Sequence, residues 1–352
     1  MNETILNRDR DHSLDLLKII ATLVIVLHHY ERAFDIHFET WNFGNGPFNF
    51  GYAVEMFFII SGYLSYTKIS KIQNGLSFPK YFAARYFRLM PLAAISTIVT
   101  YFFALYVWKE TPFSLLRTLM VALCLFTGRN NGEIFLNSHL WYLGVLIICY
   151  VCFYIIIRLA HRLRINWKYA CFFMMLLGVS VYSSEWDLLF LNSNTARGYM
   201  AFFTGLMLAS LIDAHRPALK AAIISLLVVT ASTLILIFRL DLLEYGIIYY
   251  LIFIYYPAVI ILLEYAPVRR ALDCRLLGTA AQIGFDVYIW HYEFNTFCAV
   301  VNELYKLGIN FRNRTAEMIM LLLSIVIGIF SFYLIERPVS RVVRKKTEQL
   351  TV

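Results

Sequence analysis

Apolar stretches long enough to cross a bilayer as helices recur along the whole chain, and this recurrence restricts its possible folds more than any motif does. They fall at about 14–34, 51–69, 86–107, 140–158, 169–184, 197–213, 221–238, 245–263, 278–301 and 316–335, separated by short polar or basic connections. Strand-like alternation, the signature of a membrane barrel, is absent, so the backbone has to satisfy its hydrogen bonds within each span as a helix. Composition agrees: with 60% hydrophobic and only 15% charged residues, a water-soluble globule would lack the polar residues to cover itself. The expected fold is an all-α polytopic membrane protein of about ten transmembrane helices. No linker, repeat or soluble appendage interrupts the pattern, so residues 1–352 read as a single domain.

The formal net charge of +8 would suggest nucleic acid in a soluble protein, but here lysine and arginine gather beside the spans. No nucleic-acid partner is expected. An eleventh apolar stretch, Phe113 to Thr127, is short and interrupted by Arg117, and orientation decides whether it crosses. If it does not, 22 of the basic residues lie on the cytoplasmic side and 9 outside; if it does, the balance becomes 14 against 17. The positive-inside tendency favours the first arrangement. The sequence therefore predicts ten spans with both termini cytoplasmic, plus an interfacial or re-entrant helix near 113–127 on the outer side. Arg8 and Arg10 precede the first apolar run as in a signal peptide, but His28 to Arg32 replace a small-residue cleavage site, so the first span is expected to be retained. The six cysteines lie mostly within apolar runs and read as small buried hydrophobes.

This topology sorts the polar residues by depth. In "SLDLLKIIATLVIVLHHY", Lys18 and His29 are eleven residues apart, three helical turns plus roughly 20°, so they share one stripe about 16 Å long. His28 is rotated by about 100° and makes a poor chelate with His29, so no metal is expected. Asp15 is placed to pair with Lys18. Taken alone, a snorkelling lysine and an interfacial histidine explain this helix as well as a site does. In "YFAARYFRLMP", Arg85 and Arg88 put two guanidinium forks on one helical face, suited to phosphate, although anionic lipid explains such a pair equally well. Within "GYAVEMFFIISGYL", Glu55 lies near the depth of His29, and Ser61-Gly62 reads as a helix-packing pair. "SHLWYLGVL" and "DVYIWHYEF" set His139 beside Trp141 and His291 beside Tyr292. His29, His139 and His291 thus fall on one side of the membrane, whereas His12, His37, His161 and His215 belong to tails and loops.

Together these motifs resemble the membrane O-acyltransferases of acyltransferase family 3. The first span carries the family's basic residue, ten residues, then histidine, as Lys18 and His29. The "FF..SG" signature appears as Phe57-Phe58 with Ser61-Gly62, and the arginine pair before proline as Arg85, Arg88 and Pro91. Trp141 with His139, the late "Y..H" of Tyr288 and His291, and the terminal "E.P" of Glu336 and Pro338 complete the family order. The family usually has arginine where this chain has Lys18, which keeps the charge and gives up the bidentate fork.

The resemblance implies an acyltransferase in the plasma (inner) membrane of a bacterium, moving an acyl group, most often acetyl, from cytoplasmic acyl-CoA to a hydroxyl of a cell-surface or lipid-linked glycan. Lys18, Arg85 and Arg88 would then hold the donor (acetyl-CoA), with His29 as general base or, less economically, as a covalent acyl carrier, and Glu55 orienting it. His139 or His291 would bind the acceptor sugar or stabilise the oxyanion, with Trp141 also at the acceptor. The expected partners are acyl-CoA, a glycan or glycolipid and membrane lipid; the sequence does not give an oligomeric state. The alternative is a lipid-linked sugar flippase or exporter with no acyl-transfer activity, which predicts inverted repeats and broken mid-membrane helices that are not visible in the sequence.

Overall fold

The computed structural model describes residues 12–39, 41–108, 114–128, 136–243 and 246–342. Arg8, Arg10, Lys109, Phe113, Arg129 and the basic residues 344–346, which entered the expectations above, lie outside the described residues. All ten apolar stretches are helical: α1 (His12–Ala33), α2 (Val54–Ser65), α3 (Phe78–Trp108), α5 (Trp141–Leu163), α6 (Trp167–Ser183), α7 (Ser193–Ala214), α8 (Leu219–Phe238), α9 (Ile247–Glu264), α10 (Arg275–Leu304) and α11 (Arg314–Val342). Between α3 and α5 lies the short helix α4 (Leu115–Ala122). Among the described residues no strand forms beyond one isolated bridge, Leu188 to Leu191.

Seven of these helices are both long and apolar enough to cross a membrane: α1, α3, α5, α7, α8, α9 and α11. In α5 the count includes the 3-10 turn that leads into it from Ser138. The other three miss for separate reasons. α2 has 12 residues and is prolonged by 3-10 turns at Phe50–Ala53 and Tyr66–Lys68. α6 has 17 residues. α10 has 30 but carries Asp286, His291, Glu293 and Asn295, all buried. Polar groups kept inside a bundle at this density belong to a site more often than to packing.

Two features set the frame of the site. The first is an unusually close crossing of α2 and α7. A Cβ on Gly62 would lie 1.8 Å from the Phe202 carbonyl oxygen, and one on Gly205 would lie 2.0 Å from that of Ile59. Only hydrogen fits at both places, which is the small-residue packing expected of Ser61-Gly62. The second is that α1 and α10 run side by side in parallel. Thr22 lies beside Gly284, and seven residues further along each helix His29 meets His291.

The stretch after α3 folds back along it. α4 has eight residues, roughly 12 Å of helix, and packs along α3. Tyr86 donates its hydroxyl to the Leu123 carbonyl at 3.1 Å, two residues short of Arg88. The chain then turns back: the Phe126 carbonyl presses on Gly144, and Asn194 donates to the Thr127 carbonyl at 3.2 Å where α7 begins.

Candidate active site

Lys18 and the Arg85–Arg88 pair, far apart in sequence, line one cavity of about 140 Å³ between α1, α2, α3, α5 and α10. The Lys18 ammonium donates to the buried Asp15 carboxylate at 2.9 Å. The Arg85 guanidinium lies over the Tyr150 ring at 5.3 Å and the Tyr81 ring at 5.8 Å. α3 begins at Phe78, earlier than its apolar run suggests, so both arginines sit two to three turns inside the helix; both line the cavity, Arg85 half-buried and Arg88 exposed. Pro91 is accommodated within α3 without ending it.

At its far end the cavity meets three rings. Tyr288 lies 5.8 Å from Tyr142 and 6.2 Å from Phe57, centroid to centroid, and Phe57 lies 5.9 Å from Tyr142. Beyond this wall stand the histidines. Tyr288 is 5.8 Å from both His139 and His291, and its hydroxyl donates to the His139 carbonyl at 2.7 Å. One tyrosine therefore separates the cationic cavity from the histidine cluster and braces the segment that carries His139.

Within the cluster, hydrogen bonding fixes the tautomers. His291 Nδ1 faces the Tyr288 carbonyl at 2.8 Å and the Val287 carbonyl at 3.2 Å. Both partners are acceptors only, so Nδ1 carries the proton and Nε2 of the neutral ring presents a lone pair. That lone pair accepts from His29 Nδ1–H at 2.8 Å. The two ring planes differ by only 2°. In consequence His29 Nε2 is left as a base. Tyr292 stands edge-on to His29 at 5.7 Å.

His139 joins the cluster from the entrance to α5, with its ring 5.4 Å from His291 and 6.2 Å from His29. The residue is only 6% exposed, and its ring lies against the backbone of Tyr288 and Ile289. The nearest charged group is Glu293, with Oε1 at 3.9 Å from His139 Nδ1. Asn137 completes the group. With its carboxamide nitrogen toward Glu293 it donates at 2.5 and 3.2 Å, while its oxygen accepts from Ser96 Oγ at 3.1 Å.

Glu55 lies elsewhere than the sequence suggests. Its fully buried carboxylate pairs with Arg197, from the first turn of α7, and not with His29, whose partner is His291. The Arg197 guanidinium sits 4.8 Å over Trp141 and 5.7 Å from the Tyr52 ring, so Trp141 is engaged in a cation–π contact of the scaffold. His28 is turned away, with Nδ1 donating to the Phe43 carbonyl at 2.9 Å. Glu31, one turn on, accepts from the Phe43 and Gly44 amides at 2.5 and 2.6 Å and from Arg314 at 3.1 Å. These contacts fasten the loop after α1 over the histidine end of the bundle. Sequence reasoning missed Glu293, Asn137 and Arg197. Of these only Glu293 carried a signal, as a carboxylate within an apolar span.

A family model for an acyltransferase domain matches residues 11–337. The chain belongs to acyltransferase family 3. Membership makes it an acyltransferase of the membrane, and the exporter alternative falls. The match runs from the start of α1 to Arg337 within α11, so every residue of the cavity and the cluster lies within the family-3 domain. No curated protein and no solved structure matches the chain.

Proposed function

We propose that the protein spans the membrane ten times with both termini in the cytoplasm and transfers an acyl group, acetyl in the first instance, from cytoplasmic acyl-CoA to a hydroxyl of a surface or lipid-linked glycan. The observation that carries this reading is a cavity lined by three cations at one end and closed at the other by a tyrosine that touches the histidine cluster. Lys18, Arg85 and Arg88 bind the donor's phosphates, the two arginines through their forks and the lysine as a point charge. The thioester is carried along the cavity toward Tyr288.

In the reaction, His29 Nε2 takes the proton of the acceptor hydroxyl as its oxygen bonds to the thioester carbon and the carbonyl electron pair moves onto oxygen. Collapse restores the carbonyl and breaks the carbon–sulfur bond, leaving the pair on the CoA sulfur, which His29 reprotonates. His291 holds His29 in the tautomer that leaves Nε2 free and shares the charge on the imidazolium, so it serves as a positioning residue. Glu55 and Trp141, engaged with Arg197, support the wall beside the site.

The test is turnover of labelled acetyl-CoA by purified protein in liposomes. His29→Ala should abolish transfer while donor binding persists, and Arg85→Ala/Arg88→Ala should raise the KM for acetyl-CoA by more than tenfold. A well-folded parent that neither binds nor turns over any acyl-CoA would sink the reading.

A further inference from the structure

We propose that Phe57 sets the length of the transferred acyl group, as the ring that gives way between Tyr142 and Tyr288 and leaves room there for acetyl but not for a longer chain. The proposal rests on the acyl-transfer reading above and deepens it by naming the acyl class of the donor. With the donor's phosphates at Lys18, Arg85 and Arg88, the acyl group is the leading end and meets the far end of the cavity first. That end consists of Phe57, Tyr142 and Tyr288, which all line the cavity and stand against one another at centroid distances of 5.8 to 6.2 Å.

The three rings are not held alike. Tyr288 is buried, and its hydroxyl is tied to the His139 carbonyl at 2.7 Å. Tyr142 is buried and also packs on Phe58, with ring centroids 4.8 Å apart. Phe57 is only half-buried, and its side chain has no polar atom to anchor it. Its backbone cannot yield, because α2 is locked against α7 where Gly62 and Gly205 meet the facing carbonyl oxygens. Room for the acyl group therefore comes from rotation of the Phe57 side chain and not from movement of the helix.

Length is limited because the space behind the wall is taken. Past Tyr288 the Tyr292 ring stands 5.2 Å from His139 and 5.7 Å from His29, centroid to centroid. Rings at these separations are in contact, and a close-packed interior resists each added methylene. An acetyl group brings only a methyl beyond its carbonyl, whereas a butyryl group brings two further methylenes that have to displace a ring. A smaller side chain at Phe57 supplies the space they need.

The experiment is a competition. Acetyl-CoA and butyryl-CoA are offered together to the purified protein in liposomes, and the relative rates at which they are consumed give the ratio of their kcat/KM values. A hydrophobic pocket discriminates one methylene by about 10- to 200-fold, so over two methylenes the parent should prefer acetyl-CoA by about 100-fold or more. Phe57→Ala should cut that preference by about tenfold or more. Phe57→Leu should cut it by less, since leucine fills part of the ring's volume. Both donors compete for the same molecules, so loss of folded enzyme alone leaves the ratio unmoved. A parent that consumes butyryl-CoA as fast as acetyl-CoA or faster, or a preference unchanged in Phe57→Ala, would refute this assignment alone; a parent that consumes neither donor would refute the reading beneath it. If Phe57→Ala fails to fold, Phe57→Leu decides: an unchanged preference overturns the proposal.

Discussion

The hydrogen bond between His29 and His291 is the most exposed point of the mechanism, and substituting His291 by phenylalanine tests it directly. Phenylalanine keeps the ring and fills the same buried volume, but it offers His29 Nδ1–H no acceptor where His291 Nε2 stood at 2.8 Å. In the resting enzyme this leaves one buried donor unpaired and frees His29 to turn or change tautomer. In the transition state the loss is larger, because the bond becomes charge-assisted once His29 has taken the acceptor's proton. Hydrogen bonds to charged groups are worth about 1.5–3 kcal/mol, which corresponds to about 10- to 150-fold in rate. The expected result is a fall of that size in kcat with the KM for acyl-CoA unchanged, because the cationic cavity lies on the other side of Tyr288. His291→Gln, whose side-chain oxygen can accept the same proton, should recover much of the loss. The assay is single-turnover transfer at saturating donor. Full activity in His291→Phe, or a change in donor KM instead of kcat, would show that His29 does not depend on this partner.

Two further expectations concern the frame. Gly205→Ala puts a Cβ 2.0 Å from the Ile59 carbonyl oxygen, which neither backbone can avoid without separating α2 from α7; a loss of about 1–3 kcal/mol is expected, read as earlier thermal unfolding in detergent, and an unchanged transition would mean the crossing is looser than described. Glu55→Gln strands the Arg197 charge in a buried place and should cost about 3–5 kcal/mol, whereas Glu55→Gln/Arg197→Met should restore most of it. Equal damage in the single and double variants would mean that Glu55 acts on something other than Arg197.

The helices were legible because a span in lipid satisfies its backbone internally, so apolar length alone reports it. All ten stretches are helical, yet α3 starts at Phe78 where the apolar run begins at 86. The eight added residues hold Lys80 and Arg85, whose charges mask a helix from hydropathy without preventing it. The Lys18 and His29 stripe could be read because both lie on one helix, where angle follows from spacing. Partners from distant segments could not. Glu55 sits 142 residues before Arg197, and nothing local to Glu55 distinguishes a carboxylate that will meet arginine from one that will meet histidine. Depth in the membrane placed Glu55 near His29, but depth is one coordinate of three.

The chemistry converges on a long helix that fails the apolarity test for a span. α10 supplies His291 to His29, Glu293 and Tyr288 to His139, and one wall of the cationic cavity. It fails the apolarity test because of these residues, and they are tolerated in the bundle because each meets a partner: His291 two carbonyls and His29, Glu293 the Asn137 amide, Asp286 the Ser331 hydroxyl at 2.6 Å. The pairing is incomplete, since the buried Asn295 carboxamide and one Asp286 oxygen lack a hydrogen-bond partner; what singles out the histidine end of α10 is therefore the His29–His291 pair, which leaves one imidazole nitrogen as a base, and not unsatisfied polar groups as such.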